Sequence, residues 1–243
     1  MKKIAFILCG ILAITSCEKS EFENESVQVQ EASREEINSD HTTALKKPIF
    51  HASYDKNLTE KEANAKFEKD AKNFINKYKQ KNSNRSSSTN WLIRVATRTG
   101  QIQNAETDDD VTFTATFEVF SNSGKFIIFK SPDFILDNPI DDREQGQWDY
   151  YIFSINYSPN FSSSSKPLSH IILETTQIKL SGNDGWYVTY FNVDAPSYIQ
   201  PKPTSGSTRI YTQPNVWLDN DDPNAKNFFQ EFRNNNPSAL YFE

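Results

Sequence analysis

The sequence predicts an all-β protein, an antiparallel eight-stranded β-sandwich preceded by a disordered tether and one amphipathic helix. Three observations carry that prediction. Val111–Val119 sets Val, Phe, Ala, Phe and Val on one side against Thr, Thr, Thr and Glu on the other, and period two marks a strand with one buried face. Aromatic residues reach 13% of 243 residues while glycine occurs only 7 times, a composition that suits a sandwich better than a helical bundle. About eight such runs follow one another from Trp91 onward, with no βαβ unit and no internal repeat.

Taken in order, the chain opens with Lys2 and Lys3 before the uncharged run Ile4–Ile14. That run is too short to span a bilayer and has the length of a signal-peptide core. Ile14-Thr15-Ser16-Cys17 resembles the lipobox of bacterial lipoproteins. The resemblance implies cleavage after residue 16, acylation (palmitate-type chains) of Cys17, and an outer-membrane lipoprotein of a Gram-negative bacterium. Several acyl chains anchor stably where one alone is marginal. The plainer reading is an ordinary secreted protein. Residues 18–47 carry eight acidic side chains, four basic ones and one aromatic, Phe22. Such a stretch buries too little apolar surface to offset its ordering entropy, so residues 17–57 are predicted as a disordered acidic tether. Glu18, Glu21, Glu23 and Glu25 resemble a surface-export signal, or form a solvated spacer.

Residues 58–81 are predicted as the helix. Thr59 and Glu62 have capping-box spacing, with Leu58 and Ala63 placed as a hydrophobic staple. Ala63, Phe67, Ala71, Phe74, Ile75 and Tyr78 then form one apolar face, which needs the β-domain, another copy or a membrane to cover it. Residues 82–90 read as a Ser/Asn hinge.

The β-domain is placed at 91–222. Its strands are read at Trp91–Thr97, Val111–Val119, Lys125–Lys130 after the turn Ser121–Gly124, Trp148–Tyr157, Ile171–Leu173, Gln177–Leu180, Trp186–Val193 and within Ser207–Leu218. Phe134–Leu136 is a short continuation or an exposed apolar corner. Trp148–Tyr157, aromatic on both sides, is expected to be covered on both faces. In the extension 223–243, Asp222-Pro223 is read as the cap of a short helix through Arg233 that docks Phe228, Phe229 and Phe232, and Ser238–Glu243 as an added edge strand.

Net charge is -6, and loss of Lys2 and Lys3 with the signal peptide takes it to -8. That argues against nucleic acid and against simple electrostatic attraction to anionic lipid. The only cysteines are Cys9 and Cys17, so the β-domain has no disulfide framework.

Thr99-Gly100, Ala105-x-Thr107-Asp108-x-Asp110-Val111, Asp137-Asn138-Pro139-x-x-Asp142, Gly146-x-x-Asp149-x-Tyr151, Gly185-Trp186 and Trp217-Leu218 fall in an order that resembles the PLAT/LH2 β-sandwich domain. The stretch runs from Trp91 to Asp222, and Glu106 stands where the family usually has Gly. The likeness is to the membrane-binding domain of bacterial phospholipase C alpha-toxins. It implies a calcium ion held by the Thr107 carbonyl, Asp108, Asp141 and Asp142. It also implies a second site at Asn104, the Glu106 carbonyl and Asp184, with Asn104 replacing a carboxylate. Hard cations take such carboxylate and carbonyl oxygens; the bland reading is solvated loop acids. Asp149 reads alternatively as a structural acceptor at a strand start. Phe134, Ile135 and Leu136 are the apolar candidates for lipid or partner contact.

No G-x-S-x-G or H-E-x-x-H motif occurs, and His41, His51 and His170 lack metal-ligand spacing. The chain therefore reads as a non-enzymatic binding module for a protein or lipid partner. A hydrolase using a carboxylate pair, or a carbohydrate-binding accessory, is the rival reading.

Overall fold

Alternating strands gain nothing until they pair and cover their apolar faces, and in this chain they do both. The computed structural model describes residues 35–37, 45–82, 90–137, 142–156, 168–182, 184–195, 204–219 and 229–242. Cys17, His41, Asn138, Pro139, Asp141 and Phe228 lie outside the described residues. The strands are β1 (Glu35–Ile37), β2 (Phe50–Tyr54), β3 (Asn90–Thr99), β4 (Asp110–Ser121), β5 (Phe126–Lys130), β6 (Phe134–Ile135) and β7 (Trp148–Asn156). They continue with β8 (Leu168–Ser181), β9 (Trp186–Asp194), β10 (Ser205–Gly206), β11 (Arg209–Thr212), β12 (Val216–Leu218), β13 (Phe229–Arg233) and β14 (Leu240–Tyr241). Among the described residues there is one helix, α1 (Glu60–Asn82), which separates β2 from β3.

One sheet runs β1-β5-β4-β8-β14-β10, with β6 beside β4 and β13 beside β8; the other runs β11-β9-β3-β7-β2, with β12 beside β9. Apart from the parallel β1–β5 pair, the strand pairs are antiparallel. The two sheets close on a core that includes Trp91, Phe113, Phe117, Phe153, Trp186 and Phe191. This is the predicted sandwich, built from more strands than the eight expected.

Helix α1 is the third layer. Thr59 and Glu62 form the capping box: the Glu62 N–H donates to Thr59 Oγ1 at 3.3 Å and the Thr59 N–H to Glu62 Oε2 at 2.9 Å. Ala63, Phe67, Ala71 and Ile75 then pack on Leu92, Ala96, Trp148, Tyr150, Ile152 and Tyr190, the outer face of the second sheet. The β-domain itself covers the helix, and β7 is buried on both faces as predicted.

Five expectations are corrected. Phe50–Tyr54, inside the predicted tether, pairs with β7, because Phe50 and Tyr54 find Phe67, Phe74 and Tyr150 to pack on. Ile171–Leu173 and Gln177–Leu180 are one strand, β8. The polar Glu174 between them is an extra residue opposite β4, where Thr116 pairs with Thr175 and Phe117 with Leu173, which is a β-bulge. Phe229–Arg233 forms a strand on β8 and not the predicted helix; the edge of this long strand offers unpaired backbone groups, and Phe232 turns inward against Phe191. Phe134, Ile135 and Leu136, named for lipid or partner contact, are core; of the two readings of this stretch the short continuation holds, as β6 on β4, and the exposed corner does not. Phe134 stacks on Phe113 at 5.1 Å and lies 4.6 Å from Phe153, so these side chains offer no surface to lipid or partner. A strand does form near the end of the chain, β14, but it pairs with β8 on one side and β10 on the other, so it is not the expected edge.

Candidate functional site

The strand registers gather the loops singled out in the sequence at one end of the sandwich. Asp110 faces Ser181, Arg98 faces Trp148, Tyr54 faces Trp148, and Leu218 faces Trp186. Backbone bonds stitch this rim: Gly146 N–H to Gly100 O at 2.9 Å, Tyr187 N–H to Ala105 O at 3.0 Å, and Leu136 N–H to Val111 O at 2.7 Å.

Inside the rim lies a buried polar network that periodicity does not reveal. Arg143, 2% exposed, donates from Nη1 to Asp142 Oδ2 at 3.0 Å and to the Leu136 carbonyl, and from Nη2 to the Asp109 carbonyl at 3.1 Å. Tyr151 Oη donates to the same Asp142 oxygen at 3.0 Å. Burial raises the Asp142 carboxyl to about 6 against the pull of Arg143. Burial, followed by the neighbouring carboxylates, holds the Tyr151 phenol well above its ordinary value, so it stays a donor. Asp149 accepts from the Arg143 N–H at 3.0 Å, from Gln147 Nε2 at 3.2 Å and from the Ser53 hydroxyl, the structural role read for it at the strand start.

Ser53, His51 and Asp149 invite comparison with a hydrolytic triad. Ser53 Oγ and Asp149 Oδ1 both face His51 Nε2, at 3.3 and 3.6 Å, and the serine proton goes to Asp149. A relay needs serine and aspartate on opposite ring nitrogens, so this cluster is a bracket between β2 and β7.

Of the residues implied for calcium, Thr107 is buried and its hydroxyl donates to the Asp184 carbonyl at 3.3 Å. Asp108 is exposed, and Asp142 is engaged as above. At the second site Asn104 is exposed with φ 59° and Glu106 is half-buried. Asp184 meets the loop through Asp109, whose Oδ2 accepts the Asp184 N–H at 2.5 Å. That approach crosses Gly182, where a Cβ would collide with the Asp109 carboxylate. The 104–110 turn, Asp142 and Asp184 are therefore brought together at one rim, with Arg143 and Asp109 as the joining residues. Among the described residues, no three His, Cys, Asp or Glu side chains gather as a metal-binding group. Sequence reasoning missed Arg143; its one signal is a lone basic residue among Asp141, Asp142 and Glu144.

The outer surface of the rim carries a ring pair. Trp217 on β12 is 40% exposed, while Trp91, Trp148 and Trp186 are buried. Its ring lies 5.2 Å from that of Tyr187, which lies across Gly100, where no Cβ would fit. The loop carrying exposed Ile102 is pinned on both sides of Tyr187, through the Gly100 N–H to the Tyr187 carbonyl at 2.8 Å and the Tyr187 N–H to Ala105 O at 3.0 Å.

These features define an all-β sandwich with one helix-covered sheet, a charged interior rim and an aromatic patch beside it. No family model matches the chain, and no curated protein matches it. Its fold is similar to solved structures that include alpha toxin from Clostridium absonum (20% identity, TM-score 0.32, over 60% of this chain and 33% of that one). Similar too are alpha-toxin of Clostridium perfringens from an avian strain (18%, 0.33, over 55% and 30%) and a LOX variant (11%, 0.34, over 63% and 17%). The chain thus spans a third or less of the length of these structures.

Proposed function

We propose that the chain is an acyl-anchored bacterial lipoprotein, held at the outer membrane through Cys17, whose β-sandwich is a binding module for a protein or lipid partner. The anchor rests on the lipobox-like Ile14–Cys17 after an uncharged run. The binding role rests on one observation, the Tyr187–Trp217 pair, in which Trp217 is exposed and Tyr187 half-buried, in a protein that buries its three other tryptophans. Exposed Trp and Tyr rings beside polar neighbours supply large contact area at small entropic cost and dominate binding surfaces. Because the chain is already anchored, a lipid bound there belongs to a second membrane.

The same ring pair favours one alternative, a carbohydrate-binding accessory at the cell surface, since two offset rings can stack a sugar face. Liposome flotation, cross-linking capture on whole cells and a glycan panel separate the cases. Trp217→Ala and Tyr187→Ala are expected to lose at least tenfold in binding in whichever assay responds, the first melting near the unaltered chain and the second lower, since its ring also packs on Gly100. Unchanged binding by both variants would remove this face from consideration.

A further inference from the structure

Three oxygens from three segments converge on the rim: the Asp109 carbonyl before β4, the Leu136 carbonyl after β6, and Asp142 Oδ2 ahead of β7. One carboxylate and two carbonyls from separate loops make a donor set suited to a hard cation. In this chain a guanidinium occupies it. All three oxygens bond to the two terminal nitrogens of Arg143, and Tyr151 Oη takes a further lone pair of Asp142 at 3.0 Å. A divalent ion on Asp142 Oδ2 would face a permanent positive charge 3.0 Å away in a water-poor setting where like charges repel strongly. Asp142 as placed therefore does not fit the calcium ion that the PLAT/LH2 resemblance implies.

We infer that Arg143 is the resident cation of this rim, an internal clasp that closes the two acidic turns without a divalent ion. The backbone is built for it. Arg143 has φ 58°, a left-handed conformation uncommon for a side-chain-bearing residue. It is held by its N–H to Asp149 Oδ2 at 3.0 Å and by its carbonyl, which accepts from Thr99 Oγ1 at 3.1 Å. Thr99 Oγ1 in turn accepts from the core indole Trp186 Nε1 at 2.9 Å. Asp149 and Thr99 thus aim the side chain, and the planar fork of donors reaches segments that a lysine ammonium, with one compact head, would not span at once.

The test is thermal melting of the full chain in excess calcium and in EGTA, together with calorimetric titration of calcium. The unaltered chain is expected to melt at the same temperature in both and to show no saturable heat. Arg143→Ala is expected to melt roughly 6 °C or more lower, and Arg143→Lys to lose part of that. Should Arg143→Ala fail to fold, Arg143→Lys and Asp108→Asn decide: the first is expected to fall, the second to match the parent in both buffers. A calcium-dependent rise in the parent that Asp108→Asn or Asp142→Asn abolishes would overturn the inference. So would an Arg143→Lys protein that melts with the parent.

Discussion

The two faces of the six-stranded sheet are covered by different means. The inner face meets the larger sheet through Phe, Ile, Val and Trp side chains such as Ile93, Phe153 and Val193. The outer face meets a single helix through rings with polar tips. Tyr150 Oη donates to Asn64 Oδ1 at 2.9 Å, Tyr190 Oη to Glu60 Oε1 at 3.3 Å, Tyr54 Oη to Asp70 Oδ2 at 2.9 Å, and Trp148 Nε1 to the Leu58 carbonyl at 3.0 Å. Arg94 adds an ion pair with Glu68. Apolar burial is large but undirected, so the inner layer supplies stability. The outer layer adds hydrogen bonds that select one seat for a helix which, in isolation, would hold its shape poorly.

Substitutions can break this contrast, from the largest effect to the smallest. Phe153→Ala empties the inner core between Phe113 and Phe134 and is expected to cost about 3–5 kcal/mol, with denaturant unfolding remaining a single transition. Phe67→Ala removes the helix ring stacked 4.6 Å from Tyr150 and is expected to cost about 3 kcal/mol. Hydrogen exchange should then speed up in α1 before it does so in β4 and β8, because the helix layer can open alone. Equal acceleration everywhere would show that the two layers are one cooperative unit. Tyr150→Phe and Thr59→Ala each remove a single bond of the outer layer and are expected to cost about 1 kcal/mol, read as a shift in denaturation midpoint.

Alkali probes the same layer more gently. Burial raises the phenols of Tyr150, Tyr190 and Tyr54, with Asp70 adding to the rise at Tyr54. A phenol whose folded value exceeds its unfolded one stabilises fully below the unfolded value of about 10 and loses that contribution as pH climbs past it. Helix loss by circular dichroism should therefore precede strand loss above that pH, and Tyr150→Phe should flatten the slope. Strand and helix signals falling together would tell against a separable outer layer.

Much of this was legible in the sequence, and the rest was hidden for physical reasons. The period-two runs of β4 and the capping box of α1 are local patterns, each satisfied within a few residues, and both form as read. Glu174 looked like a strand end because a bulge and a loop share the same polar signature. Phe134–Leu136 stayed open between a short continuation and a corner, because Pro132 hides the fact that a two-residue strand can still join β4. At the rim, the acidic turns were visible as charges side by side, and their convergence was expected from a resemblance. Their joining by Arg143 and Asp109 was not.

The sequence by itself determined the class of the fold, the span of the helix and the face it buries, since periodicity and capping are properties of neighbours along the chain. Only the tertiary structure decided what covers that face, which acids lie buried beside a guanidinium and that the Trp217 ring stays open to solvent beside Tyr187. Those are contacts between residues tens of positions apart, Asp109 with Arg143 and Tyr187 with Trp217, and they exist only after the sheets have stacked.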